Sequence, residues 1–185
     1  MIPIIILIYL LRFCTGQSPS MNYMLNMDSQ LECCDEESLL FLDISGVSVG
    51  RYNETIAYMF GLTKLLLPIE HNTMMELIVQ REISGTYETM ITHEICDVCE
   101  EVAKGSKSNY HDYMRYLTIP EECPFEAGDY PVNDFILDTD DLPLNSNTAG
   151  KYQAFMTFYK NPEKDCKTTK EFLFCVTIKF LIELA

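Results

Sequence analysis

Four short constellations in this 185-residue chain carry residue types that could do chemistry. Gly46-Val47-Ser48-Val49-Gly50 has the glycine–serine–glycine spacing of a hydrolase nucleophile elbow. That motif works only as a sharp turn from a strand into a helix, with a histidine late in the chain to act as base. Here the segment alternates like a strand, and no histidine follows His111. Cys96-Asp97-Val98-Cys99 has the spacing of a redox pair, but no βαβ pattern surrounds it. As a zinc site it lacks a second pair, and His111 alone does not supply one. Asp138, Asp140 and Asp141 resemble the start of a calcium loop, yet the position that needs a turning glycine is Pro143. His71, His93 and His111 are scattered. No nucleophile–base pair and no metal set emerges, so the expectation is a protein without catalysis, metal or cofactor.

The elements that would position any site are mostly strands. Phe172, Phe174, Val176, Ile178, Phe180, Ile182 and Leu184 recur with period two, and so share one face of a strand. Further strand candidates are Leu40 to Val49, Glu54 to Leu62, Met74 to Ile83, Thr86 to His93, Tyr130 to Leu137 and Lys151 to Tyr159, with Ser84-Gly85 as a tight hairpin turn. One segment departs from this rhythm. In Glu94 to Lys104, Ile95, Val98, Cys99 and Val102 follow helical spacing and Gly105 stands where a helix would stop. Asp138 to Gly150 reads as a long connection. Many short strands and one helix predict a mainly β protein, an antiparallel sandwich or cup.

Residues Ile4 to Leu11 are uninterruptedly apolar, with Cys14 and Gly16 small enough for a cleavage site. The run is shorter than the roughly 20 residues a membrane span needs and suits a secretory signal over residues 1–16, with Gln17 opening a single mature domain over 17–185. The formal charge of −15 makes nucleic acid a poor partner. Once Cys14 leaves, Cys33, Cys34, Cys96, Cys99, Cys123, Cys166 and Cys175 remain, an odd set that reads as disulfides plus one spare thiol in an oxidising compartment. Asn53-Glu54-Thr55 is a glycosylation sequon. Ten Met and ten Phe crowd the strands, a composition compatible with a filled core or with a surface that accepts flexible apolar ligands.

Cys123-Pro124-Phe125-Glu126-Ala127-Gly128-Asp129-Tyr130 is followed by Asp141-Leu142-Pro143, then Gly150-Lys151-Tyr152, then a last strand with Cys175 near its beginning; Ile95-Cys96-Asp97-Val98 lies upstream. This ordered series, from about Ile95 to Leu184, resembles the ganglioside-activator family and the related insect chemosensory CheB family. The resemblance implies a β-cup whose strands surround a deep apolar cavity for a lipid tail or similar molecule. It also implies disulfides joining Cys96 to Cys123, and Cys175 to Cys33 or Cys34. Two disulfides of the activator protein lack a full counterpart here, and the reduced cysteine set is more like the CheB proteins, which are linked to detecting contact pheromones. The expected function is therefore a secreted binder of a hydrophobic small molecule or lipid in chemosensory perception, with a membrane receptor or channel as a further partner. The alternative is a lysosomal-type activator that presents lipid to a hydrolase. Phe135, Leu137, Tyr152, Ala154, Met156, Phe158, Phe172 and Phe174 are the expected lining, with the inward face of each strand open to a one-residue slip.

Overall fold

The computed structural model describes residues 23–54, 56–108, 120, 122–138, 144–167 and 170–185. The leader expected over residues 1–16, Thr55 of the sequon, His111, Asp140, Asp141, Leu142 and Pro143 lie outside the described residues.

Among the described residues the strands are β1 (Tyr23–Met27), β2 (Glu32–Cys33), β3 (Leu42–Arg51), β4 (Ile56–Leu65), β5 (Thr73–Ile83), β6 (Thr86–Ile95), β7 (Gly128–Asp138), β8 (Gly150–Lys160) and β9 (Glu171–Leu184), with one short α-helix, α1 (Val98–Ala103). They form two antiparallel sheets. The larger runs β1-β9-β8-β5-β6, with β2 also pairing β9, and the smaller runs β3-β4-β7. The expected class, an antiparallel β-sandwich or cup with one short helix, is what the chain builds.

The expected hairpin at Ser84-Gly85 is present. Ile83 pairs with Thr86, and both turn residues have positive φ (54° and 86°), the two-residue geometry that matches the twist of its strands. Gly61 adopts φ +129°, and a Cβ there would stand 2.1 Å from the carbonyl oxygen of Gly46. Only glycine allows β3 and β4 to close to this distance beside the register shift between Asp43 and Gly46.

The sheets pack face to face at one end. Leu42, Ile44 and Val47 of β3, Leu65 of β4 and Val132 of β7 form a single buried cluster with Phe174 of β9, Ile69, Val102 and Phe125. Along one flank β1 lies against β3. Gln30 donates to the carbonyl of Val49 (3.0 Å) and accepts from its N–H (2.8 Å), and Arg51 donates to Asn26.

The helix is shorter than its periodicity suggested. Glu94 and Ile95 remain in the β6 ladder opposite Glu76 and Met75, and Asp97 caps the helix by accepting from the N–H of Glu100 at 3.1 Å. This displacement also decides the cysteine pairing. Cys99 sits in the first turn of the helix on the buried face it shares with Val102, and bonds Cys123, two residues before the core residue Phe125. Cys96 stays at the strand end, beside the connection from β8 to β9, and bonds Cys166 there. The expected Cys96–Cys123 bridge is thus corrected: Cys99 takes Cys123. Cys34 is the partner of Cys175, and Cys33 carries the spare thiol. Burial, followed by the charges of Asp35 and Asp43, raises the pKa of that thiol and disfavours the reactive thiolate.

Burial pushes the Asp97 carboxyl up, but the Lys164 ammonium 2.7 Å away and the N–H groups of Glu100 and Cys99 outweigh it and hold the carboxyl below its usual range. A folded-state pKa below the unfolded one stabilises above the unfolded value of about 4 and loses that contribution as pH falls through the folded value. Asn caps a helix about as well as Asp, so Asp97→Asn should keep α1 and remove only the charge that faces Lys164, with a small loss of stability near neutral pH. It should also flatten the acid limb of a stability–pH curve recorded by denaturant unfolding. An acid limb identical to wild type would refute the assignment.

Candidate functional site

Strand register fixes which side chains share the inner face of the large sheet, and it sets them in four rows. At one end Arg81 of β5 pairs with Tyr152 of β8, Tyr152 with Phe180 of β9, and Phe180 with Met27 of β1. The Tyr152 and Phe180 rings lie parallel within 3° at 5.2 Å, and the Arg81 guanidinium sits 5.8 Å above the Tyr152 ring. The next row is Ile91, Val79, Ala154 and Ile178, and after it come His93, Leu77, Met156, Val176 and Cys33. The last row, Ile95, Met75, Phe158 and Phe174, abuts the core: Phe158 stacks on Phe174 at 4.4 Å, with Phe41 at 6.2 Å on Phe174.

Exposure changes steeply along these rows. Phe174 is 3% exposed, whereas Met156, flanked by β5 and β9, is 40% exposed, and Ile91 on the edge strand is 55% exposed. A side chain in the middle of a sheet stays wet on its inner face only where the opposing sheet does not seat on it. Here that sheet has three strands against five across, and is held to the β1 flank. The result is a cleft with an apolar floor, a closed bottom at Phe158 and Phe174, and an open side toward β6.

The expected lining residues divide accordingly. Tyr152, Ala154 and Met156 lie on the cleft floor. Phe158 and Phe174 share that face but belong to its packed bottom. Phe135 and Leu137 pair with Met59 and Ala57 on the inward face of the smaller sheet. Phe172 is carried to the other face of the large sheet. The ladder shifts between Phe158 and Tyr159, leaving Leu173 as the extra residue, so that Phe172 pairs with Tyr159 and meets its ring edge-on at 6.2 Å. Tyr159 there reaches Glu76 (3.4 Å) on the outer face. One inserted residue exchanges the faces of everything beyond it.

Leu77, Val79, Arg81, Ile178 and Phe180 were not among the expected lining residues, although Met75-Leu77-Val79-Arg81 and the alternation through Ile178 and Phe180 carry the period-two signal that finds them. Ser48 lies mid-strand in β3 and is exposed on the outer face of the smaller sheet, with no strand-to-helix turn around it. Cys96 and Cys99 are consumed in separate disulfides, and no metal-holding group of His, Cys, Asp and Glu occurs among the described residues. Asn53 is exposed in the turn between β3 and β4. No helix among the described residues is long and apolar enough to cross a membrane, and the three disulfides are compatible with an extracellular setting.

Residues 75–154, less than half of the chain, match the family described as "Protein of unknown function (DUF1091)". The match is consistent with a family of the lipid-recognition type. It spans β5 to the first half of β8, hence two of the strands that floor the cleft. Among curated proteins none matches the chain. One similar solved structure is titled "Crystal structure of the C-terminal domain of wzt"; it has 10% identity over 91% of this chain and 80% of that one, with a TM-score of 0.35. A likeness this distant carries no argument about function.

Proposed function

We propose that this chain is an exported binder of a hydrophobic small molecule or lipid, that the ligand lies on the floor formed by β5, β8 and β9, and that the binding serves chemosensory perception. The observation that supports the reading is Met156: a methionine at the centre of an inward face, 40% exposed between apolar neighbours. Such a surface is unfavourable in water and becomes favourable once covered. Methionine and the small Ala154 between Val79 and Ile178 make the floor adaptable to a flexible chain. Burial gains about 0.8 kcal/mol per CH₂. A sixteen-carbon chain would then gain roughly 13 kcal/mol, and association costs of at least about 4 kcal/mol leave a sub-micromolar Kd at best. Export rests on the leader-like N-terminus and the disulfides, and the chemosensory role on the resemblance of the Ile95 to Leu184 motifs to the CheB family.

The test is displacement of an environment-sensitive apolar dye. Wild-type protein should bind the dye in the micromolar range and release it to long-chain fatty esters. Ala154→Phe, which fills the floor at a half-buried position, should weaken dye binding by about tenfold or more while the melting temperature stays near wild type. Unchanged dye affinity in that variant, or a folded wild type that binds no apolar probe, refutes the reading.

A further inference from the structure

On β5, β8 and β9 the cleft floor is apolar except at its mouth, where Arg81 reaches across the inner face; His93 of β6 borders it on the open side. Its guanidinium lies over the Tyr152 ring and donates to the backbone carbonyls of Asn147 (2.8 Å) and Ala149 in the connection before β8. Both acceptors are neutral. Among the described residues no carboxylate forms an ion pair with Arg81, although Glu88 stands opposite it on β6 and is exposed. The neighbouring pair Lys151–Glu82 belongs to the outer face. Arginine has five N–H donors, so among the described residues the two carbonyls leave three of them, and the charge, without a carboxylate partner. Gly150 beside the guanidinium has φ +145°, and a Cβ there would stand 3.0 Å from Nε; the absence of a side chain leaves room along that edge. The Tyr152 hydroxyl, which donates to the carbonyl of Thr148 at 2.8 Å, holds the ring in place.

A planar cation held by backbone carbonyls, stacked on an aromatic ring and set at the end of an apolar track, is a preorganised receptor for a carboxylate. We propose that Arg81 binds the headgroup of a long-chain carboxylate whose tail runs over Val79, Ala154 and Ile178 toward Leu77 and Met156. The ligand is on this account an amphiphile with an anionic end, not a plain hydrocarbon. In a chain of net charge −15, an anion needs a local cation to be held, and Arg81 supplies it. The inference rests on the proposed cleft, since it assigns the polar end of the same ligand.

The experiment compares dodecanoate with methyl dodecanoate as competitors of a bound apolar dye, using the disulfide-bonded protein. Wild type should prefer dodecanoate by about tenfold or more. Arg81→Met, which keeps length and apolar stem, should abolish the preference, read as the ratio of acid to ester affinity within that variant. Arg81→Lys retains the charge and should keep part of the preference, which decides the matter if Arg81→Met proves unstable. Equal affinities for acid and ester in wild type, or a preference that survives Arg81→Met, would overturn the headgroup assignment while leaving the cleft intact. Failure of wild type to bind the dye at all would instead overturn the cleft.

Discussion

Cys175→Ala should lower the unfolding free energy of the oxidised protein by about 4–5 kcal/mol, most of the margin of an ordinary domain. The Cys34–Cys175 bridge spans 141 residues and ties the segment after β2 to β9, so it encloses nearly the whole described chain. In the chain-entropy picture a loop of that length gives the largest restriction of the unfolded ensemble among the three bridges, and native-state strain can only reduce the gain. Cys34→Ala should cost about as much. Cys33 cannot substitute, because it faces inward opposite Val176 while Cys175 points to the other face of the sheet. Its raised pKa also slows exchange. Cys33→Ser should by contrast stay within about 1 kcal/mol. Denaturant unfolding of the three variants gives the comparison. A Cys175→Ala midpoint near wild type, or rescue of Cys34→Ala by a Cys33–Cys175 bond found in peptide mapping, would contradict this account.

Strands were legible where alternation was uninterrupted. Thr73–Ile83, Gly150–Lys160 and Glu171–Leu184 were located to within about two residues by period two alone. Faces were harder to read. Phe135, Leu137, Tyr152, Ala154 and Met156 share the inward faces of their sheets because no irregularity separates them from their partners across the ladder. Phe172 is carried to the outer face by an extra residue in β9, which leaves no mark in the hydrophobic pattern. β1 and β2 escaped notice for a different reason: five and two residues of mixed character have too little periodicity to signal a strand, and their place is set by pairing with β9. The bridge from Cys175 to the Cys33-Cys34 pair was expected and forms through Cys34, but the partners of Cys96 and Cys99 were hidden, because they depend on where α1 begins and the N-cap at Asp97 separates the two onto different elements. Arg81 was invisible as a site residue because one charge at the end of an apolar alternation reads as a strand terminus. Only the ring of Tyr152 and the carbonyls of Asn147 and Ala149 give it a position.

Phe174→Ala should destabilise the fold by about 3–5 kcal/mol, while Met156→Ala, one row away on the same face, should cost about 1 kcal/mol or less. Phe174 is 3% exposed and touches both Phe41 and Phe158. Removing its ring forfeits the burial, leaves a cavity and breaks stacking with a partner at 4.4 Å. Met156 is already in contact with water, so truncation creates no sealed void. The contrast separates a cup from a filled sandwich more directly than either variant alone. Were the floor packed by the facing sheet, Met156→Ala would lose about 2–5 kcal/mol, as buried methionines do. Were the bottom open, Phe174→Ala would be cheap and would increase dye uptake. Phe158→Asp belongs with the bottom: its ring is stacked into the core, so a carboxylate there would have to be buried unpaired. The loss of dye binding in that variant would report unfolding. Ala154 and Met156 are the positions where affinity can change while the fold persists, and unfolding curves measured beside dye titrations on Ala154→Phe, Met156→Ala and Phe174→Ala make the division between floor and bottom visible.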